Sequence, residues 1–337
     1  MSLLLSAQDP AAIEAAAQRL AGGTLVGMPT ETVYGLAADA DNPRAVQRIF
    51  EAKGRPSEHP LIVHLAHDGA AQDWRAGVQH YAREVPAFAQ ALMQAFWPGP
   101  LTLILPRRSG VATAAAGGQD SVGLRCPAHP VAQALLVAAA AHGVQGVAAP
   151  SANRFGRVSP TTAAHVSAEF EALADDALLV LDGGACPVGI ESTIVDATRG
   201  HPVLLRPGHI TPEQLQAACG EAVRERDGAA PRASGTLVSH YAPSARVRLM
   251  DARALQAALD ARTLQAPSVA VWTRSALSRC SGVEQRTMPS NAEQAAQALF
   301  ATLRELDASG VSQIWVETPP DGAAWDGVRD RLQRAAA

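Results

Sequence analysis

Lysine is almost missing from this chain: among 28 basic residues in 337, Lys53 is the single lysine. Arginine serves everywhere else. A lysine kept at one position points to a need for a compact, mobile ammonium rather than a planar guanidinium fork. A phosphate site, where lysine acts as a point charge, is one such place; a solvated helix end that kept its lysine by chance is the alternative. Cysteine is scarce too. Cys126, Cys186, Cys219 and Cys280 form no CxxC pair and no His/Cys cluster of zinc spacing, which argues against a structural zinc and a disulfide framework and reads as reduced thiols in a cytosolic protein. Aromatics are 4% of the chain and the formal net charge is -4, a poor match to a surface that stacks bases or tracks a nucleic-acid backbone. No apolar run approaches the roughly 20 residues of a membrane span; the most apolar stretch, 131–141, reads as a core helix. The opening 1–6 lacks a basic region and does not read as a signal peptide. Walker A, G-x-S-x-G, HExxH, G-x-G-x-x-G and kinase signatures are all missing.

What is present is an ordinary hydrophobic fraction of 47% and a length that suits two domains. Asp9-Pro10 and Asn42-Pro43 each place a capping side chain before a proline at the first helical position. They predict helices ending at Gly22-Gly23 and near Lys53, the second with Val46, Ile49 and Phe50 on its apolar face. A helix over 85–96 stops at Trp97-Pro98-Gly99-Pro100. Strands are predicted over 24–28, 61–65, 101–105, 122–125, 144–149, 178–181, 192–196 and 203–206. Strands alternating with helices argue for an α/β fold, with antiparallel pairs among the closely spaced later strands. Residues 220–243 lose periodicity and read as a linker. Beyond it, strands over 246–250, 269–273 and 314–317, with helices near 251–261, 291–308 and 323–334, predict a smaller α/β unit.

Chemistry-bearing residues collect where strands meet loops. Between residues 100 and 160 five arginines face a single acid, Asp120, a local excess that suits a bound anion. Thr30, Glu31, Thr32 and Tyr34 make a dense hydrogen-bonding loop after the first predicted strand. Lys53 and Arg55 flank Gly54. His64 is the polar residue of an apolar strand, where a satisfied core histidine is the commoner outcome. Arg125 ends a buried strand and wants an anionic partner, either a structural carboxylate or a ligand. Ser151 and Asn153 follow another strand and offer a hydroxyl, an amide and backbone N–H groups to phosphate oxygens, or else form Asx and Ser turns. Strand ends offering Lys, Arg, Ser, Thr and Asn fit a pocket for a nucleotide plus a small anion.

Ten strings occur in one order over residues 24–243: PTETVYGL (29–36), KGRP (53–56), HPLIVHL (59–65), WPGPLTLIL (97–105), VGLRCP (122–127), PSAN (150–153), SPT (159–161), GIESTIVD (189–196), LLRPG (204–208) and SHYAP (239–243). On them the chain resembles the YrdC-type family, in its longer two-domain branch of threonylcarbamoyl-AMP synthases. The resemblance implies a twisted open mixed-sheet YrdC-like domain over 1–219, a linker or lid over 220–243, and a smaller Rossmann-like α/β domain over 244–337. It implies an ATP-dependent nucleotidyl transfer: L-threonine takes up bicarbonate or CO2, and the N-carboxylate attacks the α-phosphate of ATP. A downstream threonylcarbamoyl transferase complex would pass the product to tRNA, which this chain meets only indirectly, in the cytoplasm.

By that resemblance, threonine is held by Thr32, His64, Arg125, Ala149 and Ser192. ATP meets Lys53, Arg55, His59, Ser121, Ser151, Asn153, Ser159, Arg206 and Tyr241, with Lys53 and Arg55 countering phosphate charge during catalysis. Mg2+ comes with ATP, held by phosphates and water. His59 stands where the family often has asparagine, and its charge is expected to vary near the usual histidine pKa of about 6.5. No general base stands out. The competing readings are a nucleic-acid-binding module, a carbamoyl-transfer role of the hydrogenase-maturation type, disfavoured by the missing CxxC pairs, and a silent regulatory relative.

Overall fold

The computed structural model describes residues 3–67, 74–174, 176–263, 267–278 and 280–337. The chain divides into two compact units: Met1–Phe155 with Ser159–Pro187 and Glu191–Thr236, and Leu237–Ala337 with Gly156–Val158 and Val188–Ile190. Residues 220–236 thus belong to the larger unit and 237–243 to the second.

In chain order the larger unit contains β1 (Leu3–Ser6), α1 (Pro10–Ala21), β2 (Leu25–Met28), β3 (Gly35–Asp39), α2 (Pro43–Lys53), β4 (Ile62–His64), α3 (Arg75–Tyr81) and α4 (Ala87–Phe96). There follow β5 (Leu101–Pro106), β6 (Ser121–Arg125), α5 (Pro130–Ala141), β7 (Val147–Ala148), α6 (Ala163–Glu169), β8 (Leu178–Asp182), β9 (Thr193–Asp196), β10 (Val203–Arg206), α7 (Pro212–Cys219) and β11 (Arg224–Glu225). The strands form one mixed sheet in the order β1-β8-β2-β3-β7-β4-β6-β5-β9-β10-β11.

The helix starts follow the local chemistry. Asp9 accepts from the Ala11 N–H at 2.9 Å, and Asn42 accepts from Arg44 and Ala45 at 3.1 and 3.2 Å. Each satisfies N–H groups that an α-helix leaves orphaned. The second helix ends at Gly54, whose φ of 62° lies in the left-handed region that glycine adopts without Cβ strain.

Side chains alternate across the sheet. Leu178 and Val180 join the apolar cluster that contains Ile49, Phe50, Leu92 and Leu124. Leu179 and Leu181 join the cluster of Ala16, Leu20, Leu135 and Leu136. All four strand residues are fully buried, and each burial contributes roughly 1.5–3 kcal/mol. The 131–141 stretch accordingly lies in a core helix, α5, packed with α1.

The second unit contains β12 (Arg246–Met250), α8 (Ala252–Asp260), β13 (Val269–Thr273), β14 (Glu284–Thr287), α9 (Ala292–Ala308), β15 (Gln313–Glu317) and α10 (Asp326–Ala335). Its four strands are all parallel, ordered β12-β15-β13-β14. Leu255, Leu259, Val269, Val271 and Trp315 form a core between helix and sheet. At the carboxyl ends of β13 and β15, Glu317 accepts from the Thr273 hydroxyl at 2.6 Å and from the backbone N–H groups of Arg274 and Ser275, both at 2.8 Å.

Several expectations change in detail. The loop 29–36 is shorter than its motif, because β3 starts at Gly35 and pairs antiparallel with β2. The strand read over 144–149 is only Val147–Ala148. Strands β1, β11 and β14 have no apolar alternation to announce them; the last two are polar and partly or fully exposed. Among the described residues, no helix is long and apolar enough to cross a membrane.

Candidate active site

The larger unit brings four cations, Lys53, Arg55, Arg125 and Arg206, to positions less than 8% exposed. A buried charge is costly unless paired and hydrogen-bonded, so the partners of each define the site.

Arg125 closes β6, which runs parallel to β4, and the register sets it beside His64. Its guanidinium is divided three ways. Nε donates to the Gly99 carbonyl at 3.3 Å, Nη1 donates to the Thr32 hydroxyl at 2.9 Å, and Nη2 lies 2.7 Å from a Glu31 carboxylate oxygen. Gly99 is glycine of necessity: a Cβ there would stand 2.3 Å from the Phe96 carbonyl oxygen. Thr32 is further tied to Thr30 at 2.9 Å, and Thr30 donates to the Val33 carbonyl at 2.6 Å. Burial, and then the charge of Arg125, push the His64 pKa down to about 3; the imidazole is therefore neutral at physiological pH. Its Nδ1 has no hydrogen-bond partner among the described residues. Ala149 lies just beyond β7 and donates its N–H to the Ile62 carbonyl at 3.0 Å, which puts it beside β4.

Lys53 ends α2 and is 3% exposed. Its ammonium donates to the Ser151 carbonyl at 2.7 Å and to the Asn153 carbonyl. Burial, with the Arg55 charge next, holds its pKa well below the usual lysine value, while Glu169 and Glu191 oppose that shift. Ser151 and Asn153 thus meet Lys53 through their backbone, and the Asn153 side chain donates to the Arg154 carbonyl at 2.7 Å. Arg55 donates to the Pro60 carbonyl at 3.1 Å and lies over the Phe155 ring, 5.7 Å from its centroid. His59 meets the same ring edge-on at 5.6 Å. Its titration is moved below what the residue type alone implies. Burial, then the neighbouring Arg55 cation, lower its pKa.

A third group surrounds Arg206 at the end of β10. Its Nε and Nη2 both donate to the Ser192 carbonyl, at 3.1 and 2.9 Å, Nη2 also to the Ser192 hydroxyl at 3.1 Å, and Nη1 to the Ser234 carbonyl at 3.0 Å. The Ser192 hydroxyl shares a 2.7 Å hydrogen bond with Thr102. The Ser234 hydroxyl also lies 3.5 Å from Arg55 Nη2, so the 232–236 stretch touches two of the four cations. Ser159 is fully buried and donates to Glu191. Ser121 opens β6 and is 8% exposed. Tyr241 lies in the second unit, buried, with a φ of 63° and its ring 5.4 Å from Phe300.

Three residues outside the motif-derived set emerge from the geometry: Glu31 on Arg125, Thr102 on Ser192 and Glu191 on Ser159. Glu31 was visible as the carboxylate of the 29–36 string, and Glu191 as that of the 189–196 string. Nothing local marks Thr102, an inward residue of an apolar strand. Among the described residues, no group of three or more His, Cys, Asp or Glu side chains is arranged to hold a metal.

Residues 18–208 match the protein family described as "Telomere recombination", and residues 210–337 match the one described as "Threonylcarbamoyl-AMP synthase, C-terminal domain". The chain is 36% identical to threonylcarbamoyl-AMP synthase of Pyrococcus abyssi, over 96% of this chain and 94% of that protein. It is 35% identical to the enzyme of the same name from Bacillus subtilis, over 98% and 94%. The fold superposes on the crystal structure of P. abyssi Sua5 complexed with L-threonine with a TM-score of 0.88 at 35% identity, covering 100% of this chain and 97% of that one.

Proposed function

The chain belongs to the threonylcarbamoyl-AMP synthase family, in its two-domain branch, and we propose that the buried cations of its larger unit divide the work of that reaction between an amino acid and a nucleotide. The protein is an enzyme that makes threonylcarbamoyl-AMP. Its substrates on this reading are L-threonine, bicarbonate or CO2, and ATP. The N-carboxylate of threonine forms a bond from oxygen to the α-phosphorus, the bond from that phosphorus to the bridging oxygen breaks, and pyrophosphate leaves with the electron pair, a nucleotidyl transfer.

Arg125 receives the threonine carboxylate on the Nη2 side of its guanidinium. Thr32, Ser192, the backbone at Ala149 and the neutral His64 surround the rest of the amino acid with hydrogen-bonding groups. A neutral imidazole both donates and accepts, and adds no charge beside Arg125. Lys53 and Arg55 counter the phosphate charge. Arg206, Ser151, Asn153, Ser159, Ser121 and His59 complete the larger unit's nucleotide site. Catalysis then rests on positioning and on fixed positive charge where negative charge shifts towards pyrophosphate. The 232–236 stretch, resting on Arg55 and Arg206, is the part of the linker suited to exclude water from a hydrolysable acyl-adenylate.

Magnesium enters with ATP, held by phosphates and water. The site acids do not amount to a carboxylate cage, since Glu31 is committed to Arg125 and Glu191 to Ser159. The product serves a cytoplasmic transferase complex that modifies the adenosine next to the tRNA anticodon, and tRNA meets that partner rather than this chain.

The observation that carries the reading is the four buried cations, each at a helix or strand end or two residues past it, with neutral carbonyl and hydroxyl groups, an aromatic ring and the Glu31 carboxylate among their partners. The test is pyrophosphate release from ATP by the purified protein with threonine and bicarbonate each supplied or omitted. Release should need both. Release with neither would refute the assignment of substrates.

A further inference from the structure

We propose that Glu31 is a specificity residue of the threonine pocket: its carboxylate occupies Arg125 until an amino-acid zwitterion takes its place on the guanidinium and brings an ammonium for Glu31 to hold. This rests on the threonine-binding reading above and adds to it a residue that none of the ten strings assigns to a ligand.

Glu31 lies in the loop joining β2 to β3, its side chain 7% exposed, with one oxygen 2.7 Å from Arg125 Nη2. Among the described residues no donor hydrogen-bonds its other oxygen, Oε2. The other titratable groups that feel its charge are two thiols and an imidazole. Burial pushes the Cys126 and Cys186 thiols up to about 12 and moves His129 down. Arg125 is therefore the countercharge of a carboxylate that lacks the supporting donors a buried anion ordinarily collects. Glu317, in the second unit, shows the contrast: it takes two backbone N–H groups and a hydroxyl on one oxygen.

The other donors of Arg125 are spent on Gly99 and Thr32, which leaves the Nη2 side, where Glu31 sits, for an arriving anion. A ligand with a carboxylate alone would displace Glu31 and leave two negative charges side by side. A zwitterion replaces both halves of the pair at once, carboxylate to Arg125 and ammonium to Glu31. The pair thereby selects an α-amino acid over a hydroxy acid of the same carbon skeleton, in the way an unpaired buried group penalises the wrong ligand.

Isothermal titration of the full chain without ATP, using L-threonine and (R)-3-hydroxybutyrate, its analogue lacking the amino group, tests this. Wild type should prefer threonine. In Glu31→Gln, threonine should weaken by about tenfold or more, the loss of one charge-assisted contact, while the hydroxy acid tightens. Opposite signs for two ligands are not a result that general damage to the pocket produces. Glu31→Asp, which keeps the charge, should keep the preference for threonine. Parallel weakening of both ligands in folded Glu31→Gln, or no change in either, would overturn the proposal and leave the function standing. An Asp variant with no preference would overturn the charge argument even if the Gln variant does not fold. Wild-type protein that fails to bind threonine would overturn this proposal and the functional reading together.

Discussion

His64 makes the larger unit sensitive to acid, and replacing it by asparagine should remove that sensitivity. The imidazole is buried between neighbouring strands, and desolvation together with the Arg125 charge lowers its pKa from 6.5 to about 3. The unfolded chain takes up a proton near pH 6.5 and the folded chain does not, so acidification favours the unfolded state. The penalty starts as pH falls through 6.5 and grows until pH passes about 3, where the folded histidine protonates too. At pH 4.5 the gap between the two protonation equilibria amounts to roughly 2–3 kcal/mol, and at pH 7.5 it is close to zero. Hydrogen exchange of peptides spanning 61–65 and 121–125 reads the opening free energy of this unit separately from the other. His64→Asn should lose about 2–3 kcal/mol less than wild type between pH 7.5 and 4.5, whatever fixed cost the substitution carries at both. The same pH dependence in both proteins would refute the reasoning, for it would mean that His64 takes its proton in the folded state as readily as in water.

Lys53→Arg should lower kcat/KM for pyrophosphate release by about tenfold or more despite keeping the charge, because a compact ammonium fits between two backbone carbonyls and a planar fork does not; wild-type kinetics would remove the special role of the single lysine. Gly99→Ala should destabilise the larger unit by about 1–3 kcal/mol, since its new Cβ meets backbone rather than a movable side chain. It should also raise the KM for threonine through the Gly99 carbonyl that holds Arg125, which thermal unfolding and steady-state kinetics would read together. Glu317→Ala should cost the second unit about 1–3 kcal/mol by orphaning the Arg274 N–H, while the Thr273 hydroxyl and the Ser275 N–H lose the carboxylate and keep only their longer contacts with Ser275 and Thr273. Faster hydrogen exchange over 273–275 and 313–317 would show it.

What the sequence made legible was local. Asp9-Pro10 and Asn42-Pro43 announce α1 and α2 because cap, proline and apolar face all lie within a few residues of one another. The core strands announce themselves through runs that alternate between two apolar clusters. Strand β14 does not, because an exposed polar edge strand takes its conformation from the neighbour it pairs with. The site shows the same division. Arg125 is recognisable from sequence as a charge in need of an anion, yet its pairing with Glu31 depends on the β2–β3 loop meeting the end of β6, which no local pattern encodes. His59 departs from its type for a related reason: the residue alone implies a titration near pH 6.5, while the burial that lowers it most comes from the fold, the Phe155 ring included.

The four cations share one further property. Lys53 is held by the Ser151 and Asn153 carbonyls, Arg55 by the Pro60 carbonyl and the Phe155 ring, Arg125 by Glu31 and Thr32, and Arg206 by Ser192 and Ser234. Substrate binding is then an exchange of partners rather than the neutralisation of bare charge. Exchange lowers the gain from each contact, because a phosphate or carboxylate competes with an oxygen already in place. In return the cations are fixed before the substrates arrive, so the transition state meets dipoles and charges that need not reorganise. The two kinds of partner predict different behaviour. A neutral carbonyl yields to any anion, whereas the Glu31 carboxylate yields at low cost only to a ligand that brings its own positive charge. On the proposed reading, selectivity for the amino acid and tolerance of polyphosphate charge come from the same device, differing only in whether the resident partner is charged.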